Sequence, residues 1–143
     1  MKNFFLNNKN IKIYNILNKV IYCIKRKKFY NYSFEEYLRQ QIILFLIFKK
    51  GYKLSNIHVE KIFSYKKKIY KIDILIIINK YPYLIIECKS PNIKINYNNF
   101  NQILIYGKIL KPKYYYLTNK IDNFIFKIKN NKIFFIKKIP KNY

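Results

Sequence analysis

The first clear pattern of polar and apolar positions along the chain begins at Ser33. Ser33-Phe34-Glu35-Glu36 has the Ser-x-x-Glu form of a helix N-terminus, and a long apolar-rich stretch follows it up to Gly51, a suitable C-cap. We therefore predict a first helix over about 34 to 49. Residues 1 to about 30 are rich in Asn and Lys and show weak periodicity. We expect an N-terminal arm there, or a strand and helix that extend the edge of the domain.

Two segments rich in β-branched and aromatic residues follow the first helix, over 57 to 65 and 69 to 78. The run Lys66-Lys67-Lys68 lies between them, and this pattern is typical of a β-hairpin. A second turn is expected at 79 to 82. The next segment, 83 to 88, is a nearly continuous apolar run, which indicates a central strand covered on both faces.

The remaining pattern predicts a second helix and further short strands. Pro91 stops the central strand, residues 97 to 110 suit a helix, and short strands are expected over 113 to 118, 124 to 128 and 132 to 137. The order α-β-β-β-α-β places the chain in the α/β class, with a mixed β-sheet flanked by helices. A chain of 143 residues has room for one core. We expect a single domain over residues 31 to 143.

Three residues with useful chemistry fall on the predicted sheet. Asp73 lies in the second strand, and Glu87 and Lys89 lie at the end of the third. Because side chains alternate along a strand, Glu87 and Lys89 share one face while Cys88 points away. Two carboxylates on adjacent strands suit Mg²⁺, which prefers oxygen ligands. Lys89 would position or deprotonate a water, or stabilise charge on a phosphate.

A Glu-x-Lys at a strand end is also compatible with a solvated ion pair, so in a lysine-rich chain this motif alone is weak. Two observations favour a functional site. The apolar run 84 to 86 buries the strand from which Glu87 emerges, and the chain has only six acidic residues. Glu60 is either an auxiliary acid or an ordinary strand carboxylate.

The two predicted helices add further candidates. If Ser33 and Glu36 satisfy each other as a capping box, Glu35 is free to supply a third carboxylate. A favourable interaction with the helix dipole explains Glu35 almost equally well. Gln102 and Tyr106 lie one turn apart on the second helix. They would contact a DNA backbone or orient the lysine, although ordinary surface side chains are the simpler interpretation.

Composition then adds a class of partner. Lys and Arg total 30 against 6 acidic residues, and the formal charge of +24 favours a polyanion, with nucleic acid as the first partner to consider. An AT-rich coding sequence would also enrich Lys, Asn, Ile, Tyr and Phe, so charge alone does not decide. No apolar run reaches the ~20 residues of a membrane helix, and we expect no membrane association. Cys23, Cys88 and His58 form no zinc motif, and a cytoplasmic location is the simplest expectation.

In their order along the chain, these motifs resemble one known family. It is the N-terminal nuclease domain of the R subunit of type I restriction enzymes, in a stand-alone form, within the PD-(D/E)XK nuclease superfamily. The resemblance covers residues 20 to 143. Its landmarks are Ile24-Lys25-Arg26-Lys27-Lys28, Ser33-Phe34-Glu35-Glu36-Tyr37-Leu38-Arg39-Gln40, Gly51-Tyr52, Val59-Glu60, Lys71-Ile72-Asp73, Ile86-Glu87-Cys88-Lys89-Ser90-Pro91, Gln102-Ile103-Leu104-Ile105-Tyr106, Leu117-Thr118-Asn119 and Ile139-Pro140.

The resemblance implies a restriction-endonuclease-like fold and a nuclease that depends on Mg²⁺, for which Mn²⁺ would substitute. Asp73, Glu87 and Lys89 would form its catalytic core. Glu35 would be a helix-borne acid that joins the two carboxylates as a third metal ligand. The residues that would support the site or contact DNA are Gln102, Tyr106 and Arg39.

Several positions can be compared with the family pattern one by one. The sequence has two arginines, Arg26 and Arg39, and both fall where the family pattern has arginine. Lys71 stands where an Arg usually precedes the Asp, and Ile72 replaces the Pro of the class name. Lys120 replaces the usual Gly after Thr-Asn, which leaves the turn geometry open because Gly at such a site often marks a positive φ. None of these changes removes a metal ligand.

Two hypotheses about function follow. The leading one is a magnesium-dependent endonuclease that hydrolyses DNA phosphodiester bonds, without an ATPase motor because the chain has no GxxxxGK(S/T) loop. The alternative is a non-catalytic nucleic-acid-binding module on a decayed nuclease fold. The sequence leaves open which DNA is cleaved, whether the role is restriction or repair, and whether a homodimer forms to cut two strands.

Overall fold

The computed structural model describes residues 14–15 and 19–142. Within them lie two helices, nine strands and a short 3₁₀ turn at Leu54–Asn56. The helices are α1, Phe34–Lys50, and α2, Tyr97–Leu110. The strands are β1, Tyr14–Asn15; β2, Val20–Cys23; β3, Lys28–Asn31; β4, Ile57–Tyr65; β5, Lys68–Ile78; β6, Tyr81–Cys88; β7, Tyr114–Thr118; β8, Asn123–Lys129; and β9, Lys132–Phe135.

Helix α1 lies within one residue of its predicted bounds because both of its ends are capped. The Ser33 hydroxyl accepts a hydrogen bond from the backbone N–H of Glu36 at 3.1 Å, and Gly51 adopts φ = 76°, the left-handed conformation of a C-cap. The predicted reciprocal hydrogen bond, from the N-cap backbone to the Glu36 side chain, is wrong. The Glu36 carboxylate accepts from Arg26 and Arg39 instead of returning to the N-cap, because two guanidinium groups are stronger donors than one amide.

The main sheet has six strands in the order β4-β5-β6-β7-β8-β9. Strands β6 and β7 are parallel, with α2 between them in the chain, and the other neighbours are antiparallel. Because β6 lies inside the sheet and its residues from Leu84 to Cys88 are buried, the prediction of a central strand is confirmed.

The two helices cover opposite faces of this sheet. Alternate residues of β6 divide between two apolar clusters, since Ile86 packs in the cluster with Ile42 of α1 and Ile85 packs in the cluster with Ile103 of α2. Helix α2 packs closely against β7 at Gly107. A Cβ added at this residue would lie 2.4 Å from the Tyr115 ring. The arrangement is the mixed sheet flanked by helices that the sequence predicted, a restriction-endonuclease-like α/β fold.

Two-residue turns without glycine connect three antiparallel pairs of the main sheet, β4–β5, β5–β6 and β8–β9. Positive φ angles occur throughout Lys66–Lys67, Asn79–Lys80 and Asn130–Asn131, which matches the twist of a tight hairpin. The turn predicted over 79 to 82 is therefore shorter, and Pro82 lies in β6 beside a register shift. Lys120 also adopts a positive φ, 78°, so the turn whose geometry the sequence left open is left-handed at this position.

Strands β1, β2 and β3 form a separate antiparallel sheet from part of the predicted N-terminal arm. Ile21 and Cys23 are fully buried, and the Gln40 side chain of α1 accepts a hydrogen bond from the Ile24 N–H at 3.1 Å. The β2–β3 hairpin is thus attached to α1. The rest of the arm, over 1–13 and 16–18, lies outside the described residues, and the division of the chain near residue 30 stays a prediction.

Within residues 14–15 and 19–142, no helix is both long and apolar enough to cross a membrane.

Candidate active site

A cavity of about 470 Å³ opens between the start of α1, the β4–β5 hairpin, the adjoining parts of β5 and β6, and α2. All of the predicted site residues line it. The full lining consists of Ser33, Glu35, Glu36, Arg39, Glu60, Ile69, Tyr70, Lys71, Asp73, Glu87, Cys88, Lys89, Gln102 and Tyr106. We refer to this cavity as the cleft.

The cleft concentrates the acidic residues of a basic chain. Five of the six acidic residues in the sequence line it, and only Asp122 lies elsewhere. Biased codon usage would scatter rare carboxylates rather than gather them on four separate elements. The clustering therefore favours a functional origin for these acids.

Asp73 and Glu87 are brought together by the register of two strands. Ile74 of β5 pairs with Ile86 of β6 in antiparallel fashion, so the next residues toward the cleft, Asp73 and Glu87, are neighbours across the strands. Both residues are buried, at 9% and 3% exposure. Two carboxylates are thus held side by side at the floor of the cleft.

Glu87 has one satisfied oxygen and one without a partner. Its Oε1 accepts hydrogen bonds from Lys89 Nζ at 2.8 Å and from Gln102 Nε2 at 2.7 Å, while its Oε2 is buried without a hydrogen-bond partner among the described residues. Burial and, after it, the negative charge of Asp73 raise the pKa of Glu87, while Lys89 opposes the change, and the net result is a pKa of about 7. Such a carboxylate is suited to a cation.

Asp73 is held by two donors. Its Oδ1 accepts from Arg39 Nη2 at 2.6 Å, and its Oδ2 accepts from the backbone N–H of Cys88 at 2.8 Å. Arg39 is only 5% exposed. Its guanidinium therefore faces the protein interior, and the contact with Asp73 indicates the supporting role that the sequence left open beside DNA binding.

Lys89 is fixed by the pair of residues on α2. Its Nζ donates to Gln102 Oε1 at 3.1 Å as well as to Glu87. Gln102 Nε2 donates to the Tyr106 hydroxyl at 2.7 Å, which in turn donates to the Lys71 carbonyl at 3.1 Å. Tyr106 is only 4% exposed, so for this residue the simpler interpretation of an ordinary surface side chain is wrong.

The charge on Lys89 follows from its neighbours. Burial alone would lower its pKa, but the Glu87 carboxylate and its hydrogen bond outweigh burial and raise the pKa above its ordinary value. Lys89 is therefore protonated at neutral pH. Of the roles predicted from the sequence, this arrangement favours stabilisation of negative charge over abstraction of a proton.

A divalent metal is compatible with the chemistry of these donors. The carboxylates of Asp73 and Glu87 are hard oxygen ligands, and the buried Glu87 Oε2 lacks a partner. Glu35 lines the same cleft, and its negative charge contributes to the raised pKa of Glu87. Among residues 14–15 and 19–142, no three His, Cys, Asp or Glu side chains are grouped closely enough to hold a metal. The ligand set of Asp73, Glu87 and Glu35 stays a prediction.

Glu60 is a site residue whose importance the sequence showed only weakly. It has φ = 47° in the middle of β4. Val59 and Lys61 on either side of it pair with Ile74 and Ile72 of β5, but no pairing occurs between Glu60 and Asp73. A left-handed non-glycine residue within a strand costs on the order of 1–3 kcal/mol, and such strain is concentrated at functional sites. Its one sequence signal was the rarity of acids.

Comparison with known proteins identifies the family. Residues 34–140 match the sequence model of the type I restriction enzyme R protein N terminus (HSDR_N). The chain belongs to this family. The HSDR_N match contains both helices, the six-stranded sheet and every residue of the cleft except Ser33, and it begins after the β2–β3 hairpin. No curated protein sequence gives a significant match.

Proposed function

We propose that this chain is a magnesium-dependent endonuclease that hydrolyses phosphodiester bonds in DNA. One observation carries the proposal: Asp73 and Glu87 are adjacent and buried, and Glu87 Oε2 has no protein partner among the described residues. Membership of a restriction enzyme family supports a nuclease role. The formal charge of +24 supports a polyanionic substrate.

The side chains of the cleft would divide the work. Asp73 and Glu87 would hold the ion, and Glu35, which lines the same cleft, would have to move toward them to become a further ligand. Bound Mg²⁺ would supply an activated water and would stabilise negative charge on the phosphate. Lys89, which is protonated and fixed by Glu87 and Gln102, would stabilise the developing charge from the side of β6.

The site itself can be tested by DNA cleavage. Supercoiled plasmid would be incubated with the protein and Mg²⁺, Mn²⁺ or EDTA. We expect nicking or linearisation with either metal and none with EDTA. Asp73→Asn preserves the shape of the side chain but weakens the metal ligand, so its rate should fall at least about 100-fold. Asp122→Asn is the matched control, because Asp122 is the acid outside the cleft and should leave cleavage unchanged.

The outcomes separate the two hypotheses. If the wild-type protein and Asp73→Asn both retain DNA in a gel-shift assay but neither cuts it, catalysis is wrong and a nucleic-acid-binding module replaces it. If both cut DNA at equal rates, the activity does not come from this cleft.

A further inference from the structure

A chain of ion pairs connects the cleft to the β2–β3 hairpin. Arg39 contacts Asp73 at one end of its guanidinium and Glu36 at the other. Arg26, in the turn of the hairpin, contacts Glu36 and also Glu60. A carboxylate of the candidate metal site is thus linked through Arg39 and Glu36 to a residue outside the range that matches the family.

Arg26 is held firmly within its own hairpin. Its Nε donates to Cys23 Sγ at 3.2 Å, and its guanidinium lies 3.8 Å from the centroid of the Tyr30 ring. From this position Nη2 donates to both Glu36 oxygens at 3.1 Å while Nη1 donates to Glu60. Arg26 therefore clamps two carboxylates that come from different elements, α1 and β4.

The network is balanced in charge. Glu36 and Glu60 both lie near Arg39, with Glu60 Oε1 at 3.6 Å from Arg39 Nη1. Lys71 adds a contact to Glu60 at 3.0 Å. Without Arg26, these two carboxylates would be left with too few cations, and they would compete with Asp73 for the guanidinium of Arg39.

The choice of residue type points the same way. Both arginines of the sequence are in this network, although Lys and Arg together number 30. A guanidinium fork bridges two carboxylates in a fixed plane, whereas a lysine ammonium is a point charge on a flexible stem. The network therefore uses the geometry of arginine and not only its charge.

We propose that Arg26 is a positioning residue, which holds Glu36 and Glu60 so that Arg39 fixes the orientation of Asp73 in the metal site. This inference rests on the proposed function for its consequence in catalysis. The β2–β3 hairpin would then contribute a positioning residue to the active site.

The first experiment compares metal affinity in the full-length protein. Arg26→Lys keeps the charge and removes the fork, and Lys27→Gln is the control because exposed Lys27 lies in the same turn. Titration with Mn²⁺, followed by the electron paramagnetic resonance signal of the free ion, should show roughly 10- to 100-fold weaker binding for Arg26→Lys, a typical effect of removing an outer partner of a ligand. Lys27→Gln should bind as the wild type does. In cleavage assays, kcat should fall for Arg26→Lys while KM for DNA stays the same.

Nitrogen NMR of the metal-free protein tests the link without activity. Arg26→Lys leaves Arg39 as the remaining arginine, so its guanidinium signals are identified directly. We expect separate Nη1 and Nη2 signals for a clamped Arg39 in the wild type and averaged signals in Arg26→Lys. Unchanged Arg39 signals and unchanged Mn²⁺ affinity in that variant would overturn the proposal.

Two further results are informative. If the wild type binds no Mn²⁺, the proposed function fails, while the Arg39 spectra still decide whether Arg26 controls the network. If Arg26→Lys does not fold, Glu60→Gln tests the same link from its other end, because Glu60 contacts Arg26 and lies near Arg39. Wild-type Mn²⁺ affinity in folded Glu60→Gln would then count against the proposal.

Discussion

At the scale of single residues, Glu87 suits the proposed metal site but should lower the stability of the metal-free protein. Its side chain is buried beside Asp73, and Oε2 has no hydrogen-bond partner among the described residues. A carboxylate buried in this way destabilises the fold when it is ionised and no cation is bound. The residue that we propose as a metal ligand is thus one whose removal should stabilise the metal-free protein.

The variant Glu87→Gln tests this prediction, because the free energy of unfolding of the wild type should depend on pH in a way that the variant's does not. The pKa of Glu87 is raised from 4.5 to about 7 in the folded protein, so the folded state holds this proton more tightly than the unfolded chain. The resulting stabilisation is complete below about pH 4.5 and is lost as pH rises to about 7. Above that range the ionised group costs roughly 3 kcal/mol. The variant should therefore be more stable than wild type at pH 8, by up to roughly 3 kcal/mol, and similar at pH 4.

Urea unfolding in EDTA at both pH values measures this difference. Glutamine keeps the side-chain length and can still accept from Lys89, which makes the comparison one of charge. Equal destabilisation at pH 4 and pH 8 would contradict the prediction. Cleavage should be lost in the same variant.

At the scale of secondary structure, the β4–β5 hairpin extends beyond the end of β6. Its pairing with β6 covers Ile74–Ile78, while Lys68–Ile72 pair with β4 alone. Ile69, Tyr70 and Lys71 line the cleft, so the extended part stands beside the candidate active site. The exposed residues Lys66, Lys67 and Lys68 lie at its tip. We expect them to bind phosphates of a DNA substrate.

Neutralising the tip measures its share of DNA binding. Replacement of Lys66, Lys67 and Lys68 by Gln should weaken binding to an uncleaved duplex in EDTA roughly tenfold, and it should reduce the slope of log K against log salt by about one unit for each phosphate that the variant no longer neutralises. The matched control replaces Lys127, Lys129 and Lys132 of the β8–β9 hairpin, at the opposite edge of the sheet. The same reduction of charge there should matter less. Equal effects of the two triple variants would assign binding to net charge alone.

Local patterns account for most elements of the fold. Helix α2 has the predicted bounds, and an Asn96–Asn99 capping box fixes its first turn. The capping box was not predicted because Asn stands where the common pattern has Ser or Thr and Glu. Strands β4 to β6 were found because their side-chain types are periodic and their connections are short.

The features of the site that the sequence did not predict depend on contacts between residues far apart in the chain. Asp73, Glu87 and Lys89 lie within 17 positions of the sequence, so strand pairing alone brings them together. Arg26 contacts Glu36 and Glu60 across 10 and 34 positions, and no local periodicity encodes such a pairing. The left-handed φ of Glu60 likewise depends on its neighbours in space, because nothing in the adjacent sequence favours that conformation.

At the scale of the whole molecule, the charges are divided between the cleft and the rest of the surface. Five of six acidic residues line the cleft, while the formal charge of the chain is +24. The field around the protein therefore attracts a polyanion, whereas the floor of the cleft attracts a cation. A phosphate would approach Asp73 and Glu87 against their negative charge unless a cation lay between them, which makes metal and DNA cooperative ligands in the proposed function.

The excess positive charge should also limit the stability of the free protein. Like charges repel one another more in the compact state than in the unfolded chain, and this repulsion is screened as the Debye length falls from about 10 Å at 0.1 M salt to about 3 Å at 1 M. The melting temperature should therefore rise with NaCl up to several tenths molar.

A combined variant tests this expectation. Replacing the six lysines of the two triple variants by Gln lowers the charge of +24 by six. The variant should be less sensitive to salt. Calorimetry at matched pH gives both slopes, and a melting temperature that fell with salt would show that the attractive ion pairs around Arg26 and Arg39 outweigh the repulsion between the surface lysines.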